Sequence, residues 1–135
     1  MVEHISDMLK DEATYGKGEV DIIYSGGRGF YVRKKISKSV DVDEARNLMR
    51  ENIVKPLTAY FANAVDAKPK VGEIRIDLSP MKTGGSYRAP FSVNSSTGLV
   101  ALPLSDKEFS VFEKHMALPN HVSLDRHAKM HWNKK

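Results

Sequence analysis

The apolar positions of the chain switch between two periods. Val2, Ile5, Met8 and Leu9 recur at helical spacing, so Val2 to Glu12 reads as a short amphipathic helix. Tyr15-Gly16-Lys17-Gly18 ends it, because paired glycines favour a turn. Val20 to Tyr24 is rich in β-branched and aromatic residues and reads as a strand. Ser25-Gly26-Gly27-Arg28-Gly29 follows as a tight loop, and Phe30 to Ile36 is the returning strand. Asp41 caps a helix in which Ala45, Leu48, Met49, Ile53, Leu57, Tyr60 and Phe61 keep the helical period. Pro56 has no amide to donate, so it kinks or divides that helix.

Beyond a turn at Lys68-Pro69-Lys70, Glu73 to Leu78 reads as a strand with Ile74, Ile76 and Leu78 on one face. Lys82-Thr83-Gly84-Gly85 is a turn. Tyr87 to Val93 and Leu99 to Leu102 are short extended pieces joined by the Asn94-Ser95-Ser96-Thr97-Gly98 turn. Ser105 and Glu108 form a capping box for a helix that buries Phe109, Phe112 and Met116. This order predicts an α+β fold, a mostly antiparallel sheet with helices packed on one face. Residues 1–118 form that domain, and 119–135 form a basic, flexible tail.

Composition narrows the class. At 135 residues, with 41% hydrophobic and 28% charged, the chain fits one folded domain with a modest core. The absence of cysteine excludes a disulfide scaffold, a cysteine zinc site, an iron–sulfur site and a thiol nucleophile. No apolar run approaches the roughly 20 residues of a membrane span, and no signal-peptide pattern opens the chain, so a cytoplasmic location away from membranes is expected. The net charge of +4 is unevenly spread. Residues 1–24 hold six acids against two bases, whereas residues 28–38 hold five bases (Arg28, Arg33, Lys34, Lys35, Lys38) and no acid. Arg126, Lys129, Lys134 and Lys135 add a second basic zone among His121, His127 and His131. Such blocks suit either polyanionic partners or a solvated surface.

Three segments carry candidate chemistry. The glycines of Ser25-Gly26-Gly27-Arg28-Gly29 let the backbone turn sharply and bring its amides near an anion, and Arg28 adds a planar two-toothed donor. A plain hairpin turn needs the same residues. The loop lacks the Gly-Lys-Ser/Thr ending of a Walker loop and the full dinucleotide fingerprint. Asp77, in Ile74-Arg75-Ile76-Asp77-Leu78, shares a strand face with Arg75, either as a Mg²⁺-binding carboxylate or as a solvent-face residue. The third segment runs from Tyr87 to Gly98, and its Arg88 and polar side chains, on a Pro-bent stretch, are expected to meet the first loop.

In this order the three segments resemble the archaeo-eukaryotic primase superfamily, specifically the small catalytic subunit of DNA primase. That family carries Ser-Gly-x-x-Gly-x-His on a strand–turn–strand, matched here by Ser25 to Tyr31. It continues with a strand Asp (Asp77), a basic-x-Pro-Phe-Ser-x-His-x-x-Thr-Gly segment (Arg88 to Gly98) and a Val-x-Leu/Val-Pro strand (Val100 to Pro103). The polymerase domain of bacterial end-joining ligases has a similar layout.

The resemblance implies that Ser25, Gly26, Gly27, Arg28 and Gly29 hold the phosphates of an incoming NTP or dNTP, with Tyr31, Arg88 and Asn94 beside them. It implies that Asp77 is a catalytic, metal-binding carboxylate for Mg²⁺ or Mn²⁺, and that single-stranded DNA is the template. Arg33, Lys34, Lys35 and Lys38 are weaker candidates for nucleic-acid contact. Tyr31 and Asn94 stand where the family has histidines, and neither becomes cationic near neutral pH. A lost charge-assisted bond costs about 1.5–3 kcal/mol. The family's upstream Asp-x-Asp strand has no counterpart, and Asp41 of Asp41-Val42-Asp43 has an ordinary capping role. The expectation is a split subunit: a second chain supplies the paired acids, and a primase large subunit is a further partner. The alternatives are a catalytically inactive nucleotide-binding, DNA-binding or structural subunit, a piece of an end-joining-type polymerase domain, or a fragment of a longer primase.

Overall fold

The computed structural model describes residues 1–36, 39–64 and 76–123. The chain divides into two compact units, Met1–Ser37 with Arg88–Lys135, and Lys38–Tyr87. The fold class is α+β: helices with a three-stranded antiparallel sheet.

In the first unit, β1 (Gly18–Tyr24) lies between β2 (Phe30–Ile36) and β3 (Leu102–Leu104). Ile22 sits opposite Val32 and Leu104, and Tyr24 opposite Phe30 and Leu102. Residues opposite each other in an antiparallel pair share a face, so these six form one apolar surface. Tyr24, Leu102, Leu104 and Ala117 are its buried centre. Phe30 meets Phe109 and Phe112 edge-on, with ring centroids 5.1 and 5.6 Å apart.

Two helices cover that face. α1 (Val2–Leu9) packs on β1 and β2, and Lys34 Nζ donates to the Leu9 carbonyl at 2.7 Å, satisfying an orphan acceptor at the helix end. The single helix expected over Val2 to Glu12 is broken, because the Asp11 carboxylate accepts from the Ala13 amide at 3.1 Å and caps a separate turn, α2 (Glu12–Tyr15). The helix expected to reach Met116 also divides. Ser105 and Glu108 make the capping box, but α5 (Asp106–Ser110) stops where Ser110 Oγ donates to the Lys107 carbonyl at 2.8 Å. A 3₁₀ turn over Lys114–Ala117 continues the chain, and Phe109, Phe112 and Met116 all still pack against the core.

In the second unit, Asp41 Oδ1 accepts from the Asp43 and Glu44 amides at 3.0 and 2.9 Å and caps α3 (Val42–Met49). A π-helical turn, Arg50–Val54, separates α3 from α4 (Lys55–Ala64). Pro56 has no N–H for the Asn52 carbonyl, and its ring crowds that carbonyl; the widened turn just before it accommodates both. Ile53 and Leu57 are buried. Of the strand expected over Glu73 to Leu78, residues 73–75 lie outside the described residues, and Ile76 to Leu78 carry no strand. The tail beyond Ser123 lies outside them as well, and no helix among the described residues is long and apolar enough to cross a membrane.

Leu102 is fully buried against Tyr24, so Leu102→Ala is expected to lower unfolding stability in urea by about 2–5 kcal/mol. Val111 is 67% exposed, and Val111→Ala should stay within about 0.5 kcal/mol.

Candidate functional site

The loop between β1 and β2 is held from inside. The Ser25 amide donates to the Gly29 carbonyl at 2.9 Å and closes it. The amides of Gly27 and Gly29 both turn inward and donate to Ser25 Oγ, each at 3.3 Å. Tyr24 Oη donates to the Gly27 carbonyl at 2.7 Å, anchoring the loop to the core. Sequence reasoning left these amides open to a ligand. In the structure two of them converge on the serine, whose own hydroxyl proton is left to donate.

A second segment is stitched to this loop. The Asn94 carbonyl accepts from the Thr97 and Gly98 amides at 3.2 and 2.7 Å, closing a turn in which Gly98 takes φ +71°. Thr97 Oγ1 then donates to the Gly26 carbonyl. Gly26 has φ +73°, and a Cβ there would stand 2.8 Å from the Leu99 carbonyl oxygen. Glycine is required at that position both by backbone conformation and by the closeness of the neighbouring chain.

Asn94 is 8% exposed. Its Oδ1 accepts from the Ser96 amide at 3.0 Å, while its Nδ2 has no acceptor among the described residues. A Cβ on Gly27 would lie 3.1 Å from Asn94 Nδ2 and 3.6 Å from Ser25 Oγ. The space beside Gly27 therefore borders two donors from different segments. Arg28 projects exposed from the same loop and makes no hydrogen bond or ion pair among the described residues. Two neutral donors and a nearby guanidinium are suited to an oxyanion.

The segment leading to Asn94 is strained. Pro90 and Phe91 are the central residues of a turn closed by the Ser92 amide on the Ala89 carbonyl at 3.1 Å. Phe91 has φ +66°, a position of a type II turn that favours glycine. Its ring packs against the Tyr24 cluster, and that burial offsets the backbone cost. The turn also explains why Tyr87 to Val93 forms no strand: only a Val93–Val100 bridge survives.

The other expected residues are placed separately. Tyr31 pairs with Ile23, on the sheet face opposite Tyr24 and Phe30. Arg88 is exposed and makes no hydrogen bond or ion pair among the described residues. Arg33 Nη2 binds the buried Asp21 carboxylate at 2.7 Å, and Lys34 is tied to Leu9, so of these basic residues only Lys35 is exposed among those described. Lys38 lies outside the described residues. Asp77 belongs to the second unit; its two oxygens accept from the Ser79 amide and hydroxyl at 2.8 and 2.9 Å. Among the described residues no group of three or more His, Asp or Glu is placed to hold a metal ion, and one carboxylate bound this way does not make a metal centre by itself.

No protein-family model matches the chain, and no curated protein matches it. Its candidate chemistry rests on its own residues. Sequence reasoning missed the burial of Asn94 and the Asp21–Arg33 pair. The second had a signal, an acid and a base falling opposite each other once the hairpin register is drawn from the loop. A shallow cleft lined by Glu3, Ser6, Asp7, Lys10, Ile22 and Asp106 shares no residue with the loop.

Burial raises the Tyr24 phenol above its ordinary value of 10.0. The folded state keeps that proton where the unfolded chain releases it, so stability is level below pH about 10 and falls as pH rises further. Tyr24→Phe should abolish the Tyr24 part of this alkaline fall in pH-dependent urea titrations. At neutral pH it should cost about 0.5–1.5 kcal/mol through the lost bond to Gly27.

Proposed function

We propose that this chain is the nucleotide-binding part of a primase-type nucleotidyltransferase. In this reading it binds the phosphates of an NTP or dNTP at the glycine loop. A partner chain supplies further carboxylates, and the assembly makes primers on single-stranded DNA inside the cell, with a primase large subunit as a further partner. The observation that carries the reading is the joining of two separately recognisable motifs: Thr97 bonds Gly26, and Asn94 Nδ2 and Ser25 Oγ border one space at Gly27. Ser25 and Asn94 donate to phosphate oxygens, and Arg28 supplies the charge that Tyr31 and Asn94 do not. Asp77 is the chain's candidate carboxylate for Mg²⁺ or Mn²⁺, with the partner's acids completing the ion's coordination.

A non-catalytic nucleotide-binding or structural subunit is the second reading. It is favoured by the engagement of Asp77 with Ser79, which occupies both oxygens of the one carboxylate assigned to the metal.

Calorimetric titration with ATP and Mg²⁺ tests the shared part. The intact chain is expected to bind, and Gly27→Ala to bind at least about ten-fold more weakly, since a methyl there fills the space and crowds Asn94 Nδ2. Gly27 does not have positive φ, so the unfolding midpoint of this variant should change little. Equal affinity in the two proteins would remove the loop from the site. Template-dependent incorporation with the partner present separates the readings: primer synthesis that Asp77→Ala abolishes supports the enzyme, and synthesis unchanged by Asp77→Ala refutes the role given to Asp77.

A further inference from the structure

α3 holds a charged group with nothing to bind. Among the described residues, Arg46 Nε is the one buried side-chain nitrogen or oxygen that lacks a hydrogen-bond partner. The side chain as a whole is half-buried, and its terminal nitrogens are not among the buried atoms. The guanidinium is thus sunk at its base and open at its tip. Among the described residues no carboxylate reaches it, although Asp43 lies one turn before it on the same helix. Arg33 binds Asp21 at 2.7 Å and Arg50 Nη1 donates to Asn47 Oδ1 at 3.1 Å, whereas Arg28 and Arg88 are exposed to water.

A guanidinium keeps its charge at every physiological pH, so it cannot relieve this burial by losing a proton. Buried donors in native proteins are normally satisfied by protein or ordered water, so an unpartnered one marks a place to look for an acceptor. Arg50 follows Arg46 by four residues and places a second guanidinium one turn along the helix. Two planar forks in one row match the several oxygens of a phosphate better than the two of a carboxylate.

We propose that Arg46, supported by Arg50, is a phosphate-binding residue on α3. It belongs to the compact unit that does not contain the glycine loop, so it stands or falls independently of that site. The phosphate has two chemical sources, the backbone of a nucleic-acid strand and the polyphosphate of a nucleotide.

The test uses the full chain, Arg46→Met, which keeps the length and apolar stem, and Arg46→Lys, which keeps the charge. Each is titrated over a salt series with oligodeoxythymidine lacking terminal phosphates, and separately with ATP. Arg46→Met should weaken one arm by about ten-fold or more. If the strand is the source, the slope of log affinity against log salt should also fall by about 0.7, the value for one phosphate contact on single-stranded DNA. Arg46→Lys should retain that slope. Loss confined to the ATP arm assigns the residue to a nucleotide. Arg46→Met should also raise the unfolding midpoint without ligand, because an unmatched buried donor is gone. A raised midpoint with both affinities unchanged would make Arg46 merely a stem packed on the helix and overturn the proposal. Absence of binding by the unmodified chain in both arms would overturn it too. Gly27→Ala, run alongside, reports on the loop alone.

Discussion

The close approach of Gly26 to the Leu99–Ala101 backbone is the constraint on which the candidate site depends. It requires a residue without a side chain in a left-handed conformation, and Gly26 meets both conditions. Once the two backbones meet, Thr97 closes on the Gly26 carbonyl and Asn94 is buried against the loop. Tyr24 holds the other side through Gly27 while its ring lies in the core. The loop is therefore not a free hairpin tip. It is clamped between a core phenol and a turn 71 positions further along the chain.

Two buried costs are handled in different ways. Asp21 and Arg33 face each other across β1 and β2, and the bond between them neutralises a carboxylate whose side chain is only 6% exposed. Removing either partner would leave the other charge buried and unmatched. Phe91 instead carries a backbone cost, which the burial of its ring offsets. This fixes the direction in which the chain leaves the Pro90 turn and returns along Ala101 towards Asn94, as the 2.7 Å bond from the Phe91 amide to the Ala101 carbonyl records.

Much of the local architecture was legible. The β-branched run before Ser25, the glycines of the loop and the alternation from Phe30 to Ile36 describe a hairpin without reference to anything distant. Asp41, Pro56 and the Ser105–Glu108 box mark helix boundaries through bonds made or lost within four residues. Where the reading failed, a local competitor had won. Asp11 captured an amide and divided the first helix, and Ser110 took a carbonyl and shortened the last. Of the candidate site, the loop and the Asn94 segment were legible as pieces expected to meet, but the Thr97–Gly26 bond and the burial of Asn94 that join them were not.

By itself the sequence determined the elements whose signals act over a few residues: caps, breaks, the glycine loop and the β1–β2 hairpin. The tertiary structure alone decided that Thr97 closes on Gly26, that Asn94 turns an unmatched amide towards Gly27, and that Arg46 Nε finds no partner among the described residues. Those outcomes depend on desolvation and on distances between segments many residues apart. Hydrophobic period and capping preference do not encode them, because a side chain's partner is chosen only after the backbone has brought distant groups within about 3 Å.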